Sequence, residues 1–251
     1  MKTFGLIGKN LSHSFSPEYF TEKFSKMNID AEYKLFEIDN IEEFPNIIKN
    51  NPNLVGLNVT VPFKRSLGLY MNSCEHIVQI TGSLNTIKVS RVGNNTNLAA
   101  YNTDCIGFEK TIKPLLKRKR RNTRAMILGT GGSANTVAYV LRKLGILFTF
   151  VSRKPSKMLH SKYNWVDEDE IRNNMVIINT TPVGMYPDSE EFPEIPYEYI
   201  TKDHVLYDLV YNPEETIFLK KGREHGATCI NGKRMLEIQA EASWKIWNKK
   251  G

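Results

Sequence analysis

Cysteine is scarce in this chain of 251 residues: three occur, Cys74, Cys105 and Cys229, far apart and odd in number. That excludes a disulfide framework, and there is no Cys-x-x-Cys pair for a metal or redox centre. Histidine is sparse too. His13, His76, His160, His204 and His225 never approach one another at ligand spacing, so no structural zinc site or other metal is expected. No apolar run reaches the roughly 18 residues a membrane span needs. The apolar stretch in MKTFGLIGKNLSHSF is too short for a secretory leader. A reducing, cytoplasmic setting is therefore expected. What is abundant is ordinary: 41% hydrophobic and 24% charged residues exclude a disordered or fibrous chain. The excess of 34 Lys and Arg over 27 Asp and Glu, a net charge of +7, suits nucleic acid or anionic small molecules equally.

Short apolar runs alternate with amphipathic stretches, the pattern of an α/β protein. Strands are expected at Phe4–Ile7, Tyr33–Ile38 and Leu54–Val59, and a hairpin at Leu84–Val89 and Leu98–Tyr101 around Gly93-Asn94-Asn95. Helices are expected at Pro17–Met27, with Ser16 as N-cap and Pro17 at the first position, and at Ile41–Lys49 and Cys105–Leu116. Lys117–Arg124, six of eight residues Lys or Arg, reads as a solvated connector, because it lacks the interleaved aromatics of a nucleic-acid site. Beyond it come strands at Met126–Leu128, Leu147–Val151, Met175–Asn179 and Val205–Leu209. Helices follow at Gly132–Leu144, Glu214–Glu224 and Lys233–Trp247. The stripe Met235, Leu236, Ile238, Ala242, Ile246 and Trp247 reads as packing surface.

One motif carries a specific chemistry. Gly129-Thr130-Gly131-Gly132-Ser133-Ala134 follows a strand and opens a helix, which is G-x-G-x-x-A in its dinucleotide-binding context. Gly129 permits the tight turn, Gly131 lets the backbone approach a pyrophosphate, and Ala134 allows close helix–strand packing. The next strand ends in Ser152-Arg153-Lys154, with Lys157 beyond, where an NAD-selective site carries an acid. Cations there suit a 2′-phosphate, so NADP is the expected cofactor.

Ser12-His13-Ser14-Phe15-Ser16-Pro17, Asn58-Val59-Thr60-Val61-Pro62-Phe63-Lys64 and Asn102-Thr103-Asp104 place hydroxyls, a lysine and a carboxylate beside strand ends or helix starts. Taken singly, each reads more readily as a helix cap or solvated surface than as a site. Their order is more telling. GKNLSHSFSP, NVTVPFK, GSLNT, YNTDCIGF, GTGGSA, VSRK, NTTPVGM, DLVYNP and NGKRMLEIQAEA together resemble the shikimate dehydrogenase family along nearly the whole chain.

The resemblance implies two domains facing each other across a cleft. An N-terminal α/β substrate-binding domain would comprise 1–103 plus 234–251, and a Rossmann-type NADP-binding domain 104–233. Ser14 and Ser16 would hold the shikimate carboxylate, helped by Tyr211, and Thr60, Asn85 and Gln239 the ring hydroxyls. Lys64 and Asp104 would be the catalytic pair. Gly129, Thr130, Gly131, Gly132 and Ser133 would cradle the pyrophosphate. Ser152, Arg153 and Lys157 would take the adenosine phosphate, and Leu209 and Gly232 would border the nicotinamide. The expected partner is a small molecule rather than nucleic acid or membrane, and the enzyme would be a monomer or homodimer. Two departures stand out: GKN where the family usually has G-x-P, and S-R-K for N-R-T. The alternatives are a dehydrogenase of mixed quinate and shikimate specificity, which tends to vary the Ser-x-Ser pair, and a silent NADP sensor, which is expected to lose Lys64 or Asp104.

Overall fold

A computed structural model describes residues 1–12, 14–93, 95–116, 123–154 and 160–249, residue 160 by its backbone alone. Lys157 and most of the basic run 117–124 lie outside the described residues. The first elements are β1 (Lys2–Gly8), α1 (Phe15–Lys26), β2 (Ala31–Glu37), α2 (Phe44–Asn50) and β3 (Leu54–Val59). Then come β4 (Ser73–Cys74), α3 (His76–Thr81), β5 (Thr86–Val92) and β6 (Asn95–Tyr101). They are followed by α4 (Asp104–Leu116), β7 (Arg124–Leu128), α5 (Gly132–Lys143), β8 (Leu147–Ser152), β9 (His160–Lys162) and α6 (Glu168–Asn173). The chain ends with β10 (Val176–Asn179), β11 (Val205–Asp208), α7 (Ile217–Glu224), β12 (Thr228–Ile230) and α8 (Lys233–Asn248). Among the described residues, no helix is long and apolar enough to cross a membrane.

The chain divides into two compact units, Met1–Thr103 with Gln239–Gly251, and Asp104–Ile238. The second crossing thus falls inside α8, C-terminal to the 233/234 boundary expected from the sequence.

The first unit is a six-stranded mixed sheet in the order β2-β1-β3-β5-β6-β4. β1 pairs in parallel with β2 and β3, whereas β5 runs antiparallel to β3 and β6. β1 is buried along almost its whole length, so it feeds a core on each face: Phe4 on one and Ile7 on the other. The Phe4 face is aromatic. Trp247 of α8 sits 5.0 Å from Phe4 and 5.3 Å from Phe20 between ring centroids, and Phe20 stacks on Tyr33 at 4.8 Å.

Two local expectations change here. α1 starts at Phe15 with Ser14 as its N-cap, not at Pro17 with Ser16. Proline is tolerated in a first turn because its missing N–H has no helical partner there, so Pro17 does not define the first position. Ser16 instead turns inward and is buried. The expected helix over Ile41–Lys49 is split into a short 3-10 turn, Ile41–Glu43, and α2. Glu43 folds back to accept the Asn40 backbone N–H at 2.9 Å, closing a capping box just before Pro45.

The second unit is a six-stranded sheet in the order β12-β11-β10-β7-β8-β9, with every pair parallel. Numbered from β7, that is the doubly wound order of a Rossmann fold, with the strand order reversing between β7 and β10. β10 and β11 are buried throughout and β7 beyond its first residue, as expected of strands covered on both faces.

Gly56 on β3 shows how closely α8 seats in the first unit. A Cβ there would lie 2.4 Å from Trp247 Nε1, the nitrogen that donates to the Ile87 carbonyl at 3.0 Å. Gly56→Ala is expected to displace the indole and cost about 2–4 kcal/mol from overpacking plus the lost hydrogen bond. Urea unfolding followed by tryptophan fluorescence, which reports mainly on this unit through Trp244 and Trp247, checks it. An unchanged midpoint would show that the helix shifts freely.

Candidate active site

In the first unit the expected substrate side chains gather at the C-terminal edge of the parallel β1–β3 pair. Ser14 and Ser16 open α1, Thr60 and Lys64 follow β3, and Asn85 precedes β5. Backbone bonds hold the edge together: Thr60 N–H donates to Ile7 O at 2.9 Å, Val59 N–H to Asn85 O at 2.9 Å, and Leu84 N–H to Lys64 O at 2.8 Å.

Asn85 is the hub. Its amide nitrogen donates to Thr103 Oγ1 at 2.9 Å and to Gln239 Oε1 at 3.1 Å, while its oxygen accepts the Thr103 backbone N–H at 2.7 Å. Gln239 and Ser243, one turn apart on α8, form a buried polar row within the stripe that reads as apolar packing in the sequence. Ser243 Oγ lies 2.7 Å from Thr86 Oγ1 and 3.1 Å from Thr103 Oγ1, and accepts from Asn58 Nδ2 at 3.0 Å. Asn58 Oδ1 in turn accepts the Tyr33 hydroxyl at 2.8 Å. The network therefore runs from Tyr33 through Asn58, Ser243 and Thr103 to Asn85 and Gln239. Of these, Asn85 and Gln239 have a site role in the sequence reading; Asn58, Thr86 and Thr103 stand in the quoted blocks without one, and Tyr33 and Ser243 lie outside those blocks. The last two lie far apart in the chain and form no motif with one another.

In the second unit α4 begins with Asp104, buried and next in the chain to Thr103. The glycine motif forms the turn between β7 and α5. Gly129 has φ +107°, a left-handed conformation that excludes ordinary side chains, and a Cβ there would meet Thr180 Oγ1 at 2.8 Å. Gly131 is the helix N-cap, without a capping side chain, and a Cβ built on it meets nothing within 4 Å. Open room beside Gly131, at a helix N-terminus whose first N–H groups have no partner within the helix, fits a pyrophosphate. Ala134 is fully buried, and Thr130 completes the turn. Ser152 ends β8 and its Oγ accepts the Lys154 N–H at 3.2 Å, turning Arg153 outward. Leu209 follows β11, its N–H on Asn179 O at 3.0 Å. Its carbonyl oxygen would lie 2.2 Å from a Cβ on Gly232, so these two expected nicotinamide neighbours meet in close contact. Tyr211 is half-buried two residues on.

Asp208, at the end of β11, ties this edge together. Its Oδ1 accepts from Asn179 Nδ2 and from Val210 N–H, both at 3.0 Å, and its Oδ2 accepts from Thr216 Oγ1 at 2.7 Å. Asn179 also holds Thr181 through its N–H and hydroxyl, and Thr216 caps α7. Next to Thr181, Thr180 donates its hydroxyl to Leu128 O at 2.6 Å, directly beneath the glycine turn. The carboxyl is fully buried, with no ion-pair partner among the described residues. Burial pushes it up from 3.8 to about 7, against the three donors, which favour the ionised form.

A carboxyl whose folded pKa lies above its unfolded one binds protons more readily in the native state. Its contribution is therefore intact below about pH 4 and is lost as pH rises towards 7. Asp208→Asn removes that titration. The variant should gain on the wild type by at most ~1.4 kcal/mol per pH unit across the window, measured by urea unfolding at several pH values. Parallel stability curves would show that the carboxyl does not titrate there.

Residues 6–87 match the family model described as the shikimate dehydrogenase substrate binding domain. A shikimate dehydrogenase (NADP(+)) from Clostridium botulinum is 37% identical over 257 aligned positions, covering 98% of this chain and 96% of that protein. The crystal structure of shikimate dehydrogenase 1 from Peptoclostridium difficile superposes with a TM-score of 0.86 at 34% identity, covering 100% of this chain and 93% of that one. A further shikimate dehydrogenase, solved in complex with NADP+, gives a TM-score of 0.84 at 30% identity, covering 99% of this chain and 90% of that one. With this similarity along the whole chain, and with the two sheets and the glycine turn described above, the protein belongs to the shikimate dehydrogenase family.

Proposed function

We propose that this protein is an NADP-dependent shikimate dehydrogenase, catalysing the reversible reduction of 3-dehydroshikimate to shikimate on the route to the aromatic amino acids. The observation that carries the reading is full-length similarity to NADP-dependent members of the family, together with a lysine, a carboxylate and the hydroxyl and amide set in the blocks where the family carries them. The enzyme acts on a small molecule. Working in the cytoplasm, as a monomer or homodimer, completes the proposal.

NADPH, when bound, supplies the hydride. The turn Gly129 to Ser133 would hold its pyrophosphate, Ser152 and Arg153 the adenosine end, and Leu209 and Gly232 the nicotinamide end. Lys157, outside the described residues, is proposed for the adenosine phosphate on the family resemblance alone. Ser14, Ser16 and Tyr211 would bind the substrate carboxylate, and Thr60, Asn85 and Gln239 the ring hydroxyls. As the ketone is reduced, negative charge grows on its oxygen. The Lys64 ammonium stabilises that charge and delivers a proton from Nζ. Asp104 orients the lysine and accepts a hydrogen bond from the adjacent ring hydroxyl. The hub around Asn85 holds Thr103, and through the chain its neighbour Asp104, in register with the hydroxyl-binding amides.

The decisive assay follows the absorbance of reduced nicotinamide with shikimate or quinate, each paired with NADP+ or NAD+. Reduction with shikimate and NADP+ far above the other pairs is the expected result. Comparable rates with quinate or NAD+ would move the protein to mixed specificity. Silence in all four would leave only the fold.

Lys64→Ala should lower turnover on the order of 10²–10⁴-fold, the range for a positioned acid–base group. Asp104→Asn should be severely impaired as well. Turnover close to wild type in either variant would remove that residue from the catalytic pair.

A further inference from the structure

The nucleotide end of the second unit holds a cation that the glycine motif and the VSRK block do not reveal. β9 lies outside β8 in parallel register, with Lys162 opposite Ser152. The two strands therefore end at the same edge of the sheet, and Lys162 and Ser152 project from the same face. In a Rossmann sheet the end of the second strand, here β8, is where the adenosine ribose is read. An open pocket of about 300 Å³ lies at this point, lined by Arg153, Lys162, Tyr163, Asn164 and Glu194.

Its chemistry is that of an anion site with one opposing charge. Arg153 and Lys162 supply two cations. Burial pushes the Tyr163 phenol up to about 12, with Arg153 pulling it back only partly, so the hydroxyl stays protonated as a donor at neutral pH. Asn164 adds an amide. Glu194 is the one carboxylate among the lining residues, and its backbone is fixed by Pro193 O, which accepts the Tyr197 hydroxyl at 2.7 Å and the Ile195 N–H at 3.0 Å. The Lys162 ammonium rests 5.2 Å from the centroid of the exposed Trp165 ring, a contact weak enough at the surface to give up for a phosphate.

We propose that Lys162 is a specificity-determining residue that, with Arg153, reads the 2′-phosphate of NADP(H) in this pocket, and that Glu194 limits how tightly the phosphate is held. The proposal rests on the cofactor reading above and adds to it a residue from the third strand rather than from the loop after the second. A dianion between two cations gains charge-assisted hydrogen bonds that a 2′-hydroxyl cannot match, whereas a nearby carboxylate repels it. The two side chains therefore act with opposite sign on NADP+ and have no purchase on NAD+.

Calorimetric titration of the intact protein with NADP+ and with NAD+ separates the outcomes. Lys162→Ala should weaken NADP+ about tenfold and Glu194→Gln should tighten it about threefold, with NAD+ changing less than about twofold in both. Lys162→Arg, which keeps the charge, should retain most of the discrimination. NADP+ affinity in Lys162→Ala within about twofold of wild type, or an equal loss for both nucleotides, overturns the proposal. Wild-type protein that binds NADP+ no more tightly than NAD+ overturns the cofactor reading itself, and this proposal with it.

Discussion

A polar side chain shut away from water must find all its hydrogen bonds inside the protein, and at the strand ends of both units this demand shapes the loops. In the second unit the constraint falls on Asp208. Its two oxygens accept three donors from three different places: Asn179 at the end of the neighbouring strand, Val210 in its own loop, and Thr216 at the cap of α7. Because Asn179 also holds Thr181, and Thr180 bonds Leu128 O, the β10 loop is drawn against the glycine turn. The same carboxyl, through Val210, steadies the segment that sets Leu209 on Gly232. In the first unit Asn85 has the equivalent part: its backbone carbonyl holds the end of β3, and its side-chain amide links the start of α8's polar row and the residue before Asp104.

Much of this architecture is legible in the sequence because it is local. The strand, turn and helix around Gly129 announce themselves through an apolar run, a glycine spacing and an amphipathic period, and the structure places β7 and α5 within a residue or two of that reading. β3 is found with its expected bounds. Short elements are another matter. β4, β9 and β12 have two or three residues each, too few for a period of two to register. They exist because a neighbouring strand offers an unpaired edge. α6 is readable only through Asp167, which caps it by accepting from the Glu170 N–H, a signal that is easily lost among its acidic neighbours.

The candidate site divides along the same line. Residues inside compact blocks, such as Lys64, Asp104 and the glycines, are visible from the family resemblance. Residues joined across the fold are not. Ser243 meets Asn58 and Thr86 from 185 and 157 positions away, and in the sequence it is one serine beside a stripe read as packing surface. Lys162 is hidden for the same reason: only the pairing of β9 with β8 turns a lysine ten residues past Ser152 into a neighbour of Arg153.

The two units also differ in the charge of what they bury, and the difference fits the proposed chemistry. The network around Asn85 is built from amides and hydroxyls: Tyr33, Asn58, Thr86, Thr103, Gln239 and Ser243. Neutral groups fix positions without adding a net field, so they would leave the charge of the proposed Lys64 ammonium unopposed at the reacting oxygen. A buried carboxylate in that network would compete for the Lys64 ammonium and oppose the charge growing on the ketone oxygen. Asp208, like Asp104 a buried carboxyl, sits in the other unit. There it is surrounded by donors and serves the loops that would hold the cofactor, where a burial cost can be met by backbone and side-chain hydrogen bonds alone. Neutral atoms thus do the positioning in the first unit, and among the described residues the buried carboxyls, Asp104 and Asp208, both lie in the second.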